Sequence, residues 1–159
     1  MTIESSSNHV EIRAENLEPP SWMDSLQHFV LRVLEELSVQ NWEVSVLLVD
    51  DNTMQDLNRQ FRDIDRPTDV LSFAAFDASA PEHAPTAGPV AAGDIVIDLP
   101  QVDRQAREWE VSAEEELRRM TVHGVLHLAG HDHQSNSFEE EPMLRLQESI
   151  LQSVQERIY

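Results

Sequence analysis

Three histidines, His123, His127 and His133, stand at relative positions 0, 4 and 10 within residues 121–133, TVHGVLHLAGHDH, with Gly130 at position 7. Two imidazoles four residues apart on a helix leave the same face about one turn apart, so both reach one ion. Gly130 suits a helix end, because glycine takes a left-handed conformation without steric penalty. A chain that turns there returns His133 as a third ligand. Neutral imidazoles on a tetrahedral zinc ion leave a fourth position for water or substrate. Val122, Val125, Leu126 and Leu128, between the ligands, anchor the helix in a core. Any one of these histidines read alone is a core or cap residue. Three at this spacing, with the glycine in place, predict a site for one zinc-like ion per chain. His131 is either simply exposed or an extra ligand or proton carrier. Asp132 is placed to orient an imidazole from behind.

The spacing is also that of the long zinc-peptidase motif, HExxHxxGxxH. Gly124 occupies the position where a zinc peptidase carries its glutamate general base. The ligand set is complete and the proton-transfer group is missing. An amide needs a proton delivered to its poor leaving group, so a metallopeptidase would have to recruit Asp132 or the acidic run 139–141.

The elements that must hold these residues follow from periodicity. Leu26, Phe29, Val30, Val33, Leu34 and Leu37 repeat at helical spacing and predict a helix over residues 22–38, with Ser21 as its cap. The apolar, β-branched run 43–49, EVSVLLV, predicts a buried strand. Asp51-Asn52-Thr53 supplies N-cap chemistry for a short helix whose one face is Met54, Leu57 and Phe61. Pro67 ends that helix, because it keeps Arg66 out of the helical region. Strands are expected at 10–13, 69–74 and 93–99, and a helix at 100–109. Residues 77–92, rich in Ala and Pro, predict an exposed, mobile loop in which His83 is solvated. Ser112 and Glu115 form a capping box opening the metal helix, 113–129, with Glu114, Glu115 and Glu116 as surface residues of its first turn. Ser137 and Glu140 repeat the pattern before a last helix, 138–157. The result is an α+β fold: one mixed sheet of about four strands, helices packed on it, and a zincin-like metal helix bordering a cleft.

At 159 residues the chain reads as one domain, 1–159, with a polar lead-in over 1–20. It contains no cysteine, which excludes disulfides, thiolate metal sites and cysteine nucleophiles. Neither a secretory signal nor an apolar run of the ~20 residues needed to cross a bilayer is present, so the expectation is a soluble, cytoplasmic protein without membrane contact. Thirty acidic residues oppose eleven arginines and no lysine, for a net charge of −19. That balance argues against a general nucleic-acid binder and against DNA as a partner. A small basic cleft remains open to Arg59, Arg62 and Arg66, or to Arg118 and Arg119. The acidic exterior also fits a basic protein partner or a saline cytoplasm.

Two segments carry a family resemblance. HGVLHLAGHDH, residues 123–133, closely resembles the HGxLHLxGYDH signature of the YbeY family of bacterial endoribonucleases and rRNA maturation factors, with His131 in place of the usual tyrosine. LNRQFRDIDRPTDVLSF, residues 57–73, resembles that family's LNxxYRxxDxPTDVLSF, with Phe61 for its tyrosine, and GDIVI at 93–97 matches a third segment. The resemblance covers roughly residues 43–152. It implies a zinc-dependent, single-strand-specific endoribonuclease acting in rRNA processing, at the 16S rRNA 3′ end, and in ribosome quality control. The implied partners are single-stranded rRNA and the small ribosomal subunit with its proteins. It places Arg62 at the family's functional arginine, near a metal held by His123, His127 and His133. A planar guanidinium beside a hydrolytic ion suits a phosphodiester, since its fork of donors holds a non-bridging oxygen. The 2′-hydroxyl of RNA can itself be the nucleophile, so a base at position 124 is dispensable. Otherwise Arg62 is the stabilising partner of Asp65 or Asp69. A ribosome-assembly factor with a structural metal is the alternative to the nuclease.

Overall fold

The computed structural model describes residues 7–76, 89–131 and 141–159. Strand β1, His9–Glu15, leads into helix α1, Met23–Glu36, and strand β2, Trp42–Val49. Helix α2, Asp51–Arg62, is followed by β3, Val70–Ala74, β4, Val90–Asp98, and helix α3, Leu99–Glu108. Helices α4, Ala113–Leu128, and α5, Pro142–Ser153, close the described chain. The sheet order is β1-β2-β4-β3. β1, β2 and β4 are parallel, and β3 runs antiparallel to β4 at the edge. This is the mixed four-stranded α+β architecture that the periodicities predict.

Side-chain alternation along the strands divides the apolar residues between two faces. Val44, Val46 and Leu48 of β2, with Ile95 and Ile97 of β4, point into the main core beside Leu26, Phe29 and Val33 of α1 and Val122, Val125 and Leu126 of α4. Val49, Leu71 and Val96 point the other way and meet Met54 of α2 in a smaller cluster. Helix α2 thus lies on the opposite face from α1 and α4, and edge strand β3 is the boundary between the two sides. Each parallel strand needs a helical crossover to reach the next, and a hairpin-sized link suffices from β3 to its antiparallel neighbour β4.

Several local expectations change. The cap of α1 is Trp22, without a side-chain bond, in place of Ser21. The cap of α2 is Asp50, whose carboxylate accepts from the Thr53 amide at 2.9 Å, so Asp51 already belongs to the helix. Strand β4 begins at Val90, three residues inside the expected loop, because Val90 and Ala91 pair with Trp42 and Glu43 of β2. Residues 77–88 of that loop, with His83, lie outside the described residues, as do Asp132, His133 and the Ser137–Glu140 capping pattern. Helix α5 stops at Ser153, with Val154 as its cap donating to Ile150 O at 2.8 Å, and both Val154 and Ile158 beyond the helix are buried. Glu114 and Glu116, expected on the surface, are 6% and 4% exposed. Each has a partner that makes burial tolerable: the Ile158 amide donates to Glu114 at 2.8 Å, and Gln105 donates to Glu116 at 2.9 Å. Among the described residues, no helix is long and apolar enough to cross a membrane.

Candidate metal centre and its cleft

Helix α4 begins as its sequence predicts, with Ser112 accepting from the Glu115 amide at 3.0 Å. It ends in a Schellman turn: Gly130 donates to His127 O at 3.1 Å and His131 to Leu126 O at 3.0 Å. Gly130 has φ +90°, which a side chain would resist. The chain therefore turns at Gly130, one residue before His131, which is exposed.

His123 and His127 project together from the half-buried side of α4. Their Nε2 atoms stand 3.0 Å apart, with the rings at 75° to each other. Two imidazole nitrogens on a tetrahedral zinc ion, at ~2.0–2.1 Å each, are separated by ~3.3 Å. A small opening of the pair would admit the ion. Sequence reasoning missed the group behind His123. Gln147 of α5, 5% exposed, places its Oε1 2.7 Å from His123 Nδ1. The amide's orientation is fixed from its far side, where Nε2 donates to Glu148 at 3.3 Å. With oxygen facing His123, Nδ1 must carry the proton and Nε2 keeps its lone pair for an ion. Arg119 grips both Glu148 oxygens at 3.0 Å, which holds that carboxyl below its ordinary pKa. The donor set and its support fit a divalent metal. Among the described residues no group of three His, Cys, Asp or Glu side chains converges, and the third expected ligand, His133, lies outside them.

Position 124 answers why no general base stands beside His123. A Cβ there would lie 2.8 Å from Ile95 Cγ2, so α4 packs on β4 through bare backbone at this turn. The residue faces the core, and a glutamate would enter the sheet interface.

Arg62 ends α2 on the far side of β3 and reaches round the sheet edge. Its Nη2 donates to Ser72 O at 2.8 Å, and its guanidinium lies 5.0 Å over the Phe73 ring. Ser72 Oγ in turn donates to Gly124 O at 3.3 Å, tying the edge strand to the metal helix one residue from His123. Arg62, Ser72, His123, His127 and Gln147 thereby line one cleft of about 1030 Å³. Among the described residues Arg62 makes no ion pair; the pairing with Asp65 or Asp69 is absent. Asp65 instead faces Arg59 at 3.8 Å, and Asp69 accepts from its neighbour's amide, Val70, at 2.7 Å. Of the other basic candidates, Arg59 is engaged with Asp56, Arg118 with Val154 O and Arg119 with Glu148, whereas Arg66 is exposed and makes no ion pair among the described residues.

Comparison with known proteins decides the family. The family model for Endoribonuclease YbeY matches residues 3–155. The chain belongs to the YbeY endoribonuclease family. It is 46% identical over 147 residues to Endoribonuclease YbeY of Treponema denticola, covering 91% of this chain and 92% of that one. The YbeY of Treponema pallidum is 41% identical over 92% of this chain and 90% of its own length. A solution structure from Thermotoga maritima superposes with a TM-score of 0.62 at 28% identity, covering 91% of this chain and 88% of that one. The arrangement of YbeY-like elements described here is therefore shared with a protein of modest sequence similarity.

Proposed function

We propose that this chain is a zinc-dependent, single-strand-specific endoribonuclease that matures the 16S rRNA 3′ end and serves ribosome quality control in the cytoplasm, working on the small subunit. His123, His127 and His133 hold the metal, and Arg62 holds the scissile phosphate. One observation carries this reading. In a chain of net charge −19, the guanidinium of Arg62 meets no carboxylate among the described residues and lines the cleft into which two imidazoles converge. Arg59, Arg104 and Arg119 each meet an acid; among the described residues Arg66 and Arg107, like Arg62, do not, but of these three only Arg62 lines the cleft of His123 and His127.

A zinc ion bound by the three histidines supplies Lewis-acid stabilisation of a phosphoryl oxygen or an activated water. The residues of the chain do the rest. Ser72 O and the Phe73 ring hold Arg62 at the wall of the cleft, where its guanidinium binds a non-bridging oxygen as charge develops there. Gln147 keeps the His123 proton on Nδ1 and so keeps Nε2 available. Gly124 brings the metal helix against β4 and places no acid or base in the cleft, which suits a reaction whose nucleophile can be the substrate's own 2′-hydroxyl. The same glycine disfavours an amide substrate. An assembly factor with a structural metal would give Arg62 no task in the cleft.

The test is cleavage of a short single-stranded RNA by protein stripped of metal and then reloaded with zinc, beside His127→Ala. Zinc-restored cleavage in the unaltered protein and none in the variant is the expected result. Cleavage that survives both metal removal and His127→Ala would overturn the assignment.

A further inference from the structure

Phe61 is the most exposed large apolar side chain of α2. It was expected to share the buried face of α2 with Met54 and Leu57, yet it is 57% exposed, whereas Met54 is fully buried. Ile64, just beyond the end of α2, is 41% exposed. Both flank Arg62, at the sheet edge where the cleft opens. The Phe61 ring stands edge-to-face on Phe73 at 5.3 Å and 68°. Phe73 also lies under the Arg62 guanidinium at 5.0 Å. One ring therefore positions both the exposed aromatic and the arginine, and their separation is fixed.

Charge shows why an exposed aromatic matters here. Affinity for single strands usually comes from a positive groove along the backbone together with aromatic side chains on which bases stack. This chain has no lysine, and Arg59, Arg104, Arg118 and Arg119 are occupied by its own carboxylates or main-chain oxygens, which leaves Arg62 and exposed Arg66 as the cations at this edge. Few phosphate contacts are available, so a weakly charged means of holding the strand is needed. Stacking serves every base, because every base has a π-face.

Resting on the endoribonuclease reading above, we infer that Phe61 is a stacking platform for an unpaired nucleobase, that of a nucleotide adjoining the phosphate held by Arg62. The strand crosses edge strand β3 with a base on Phe61, on the α2 side, and its phosphate turned into the cleft on the α4 side. Base identity matters little to such a contact, while pairing matters greatly, since a base stacked in a duplex cannot reach the ring. Phe61 thus contributes to the preference for single strands.

Zinc-loaded protein is titrated with a short single-stranded 2′-O-methyl RNA carrying 2-aminopurine at successive positions, for the unaltered chain, Phe61→Ala, Phe61→Trp and Arg62→Lys. Melting temperatures are recorded on the same samples. The unaltered protein should quench 2-aminopurine at one position. Phe61→Ala should lose that quenching and roughly five- to hundredfold in affinity, whereas Phe61→Trp keeps both. The slope of log affinity against log salt should be the same for Phe61→Ala and the unaltered chain, because no ionic contact is removed. A merely structural role would move the melting temperature and spare the quenching. Unchanged affinity and quenching in Phe61→Ala, from an unaltered protein that binds and cleaves, overturns this inference alone. The same holds if Phe61→Ala instead abolishes self-association, which would make the ring a protein contact. If the unaltered protein neither binds nor cleaves RNA, the endoribonuclease reading fails and this inference falls with it.

Discussion

Replacing Gln147 by leucine tests whether the metal centre extends beyond its histidines. The amide sits 2.7 Å from His123 Nδ1, is 5% exposed, and is held in its flip state by Glu148. Leucine is of similar bulk, one bond shorter, and removes the acceptor. His123 then loses the Gln147 acceptor that holds its proton on Nδ1, and the tautomer with the proton on Nε2 cannot bind an ion through that nitrogen. Removing such an outer partner costs about 10- to 100-fold in metal affinity, or ~1.4–2.7 kcal/mol. The effect on folding should be smaller, because Glu148 keeps its double contact with Arg119 and leucine adds apolar burial. Zinc affinity by chelator competition is the primary assay. Nitrogen-15 NMR of the zinc-free protein supplies a second readout, and it should show His123 mainly as the Nδ1–H form in the unaltered chain and mixed in Gln147→Leu. Gln147→Glu should restore the tautomer. Zinc binding by Gln147→Leu within twofold of the unaltered protein, with an unmixed His123 tautomer, would refute the reasoning.

Three further outcomes follow from particular contacts. Burial pushes the Asp98 carboxyl up to about 7, with Asp51 beside it, so the folded chain holds a proton that the unfolded chain releases near pH 4. Stability should therefore fall as pH rises from about 4 to 7, by ~2–4 kcal/mol, and urea titrations of Asp98→Asn should lack that slope. Gly124→Glu should lower stability by at least ~3 kcal/mol, from overpacking against Ile95 and burial of a carboxylate, and should confer no peptidase activity; a native melting temperature would show that the position faces the cleft. Ser72→Ala should leave the fold intact and reduce cleavage several-fold, since Ser72 Oγ ties the edge strand bearing the Arg62 acceptor to the metal helix at Gly124; unchanged cleavage would remove that bond from the account.

Much of this arrangement was legible in the sequence because it is local. Ser112 with Glu115, and Gly130 after the last periodic leucine, bracket α4 to within a residue. The β-branched apolar run 43–49 marks β2 to within a residue, whereas α2 ends at Arg62, where Asp63 turns left-handed with φ 59°, before Pro67 can act. What could not be read depends on contacts distant in sequence. Gln147 lies 24 residues from His123, in a helix whose amphipathic pattern marks it only as a polar position among apolar ones. Glu114 and Glu116 carry a first-turn signature, yet Gln105 and the Ile158 amide bury them. Phe61 follows the apolar period of α2, but that helix covers only a small cluster at the sheet's edge and leaves its last turn exposed. The start of β4 at Val90 reflects pairing with β2 across a bulge, which outweighs the loop-like composition around it.

The central claim is a division of labour: histidines hold the ion and Arg62 holds the phosphate. Arg62→Lys keeps the charge and loses the planar fork. Cleavage of a single-stranded RNA should be compared at matched zinc content and melting temperature among the unaltered protein, Arg62→Lys and His127→Ala. A folded, zinc-bound Arg62→Lys protein that cleaves at least ~100-fold more slowly, beside a His127→Ala protein that has lost zinc and cleavage together, is the predicted result. A folded, zinc-bound Arg62→Lys protein with full cleavage activity would contradict it.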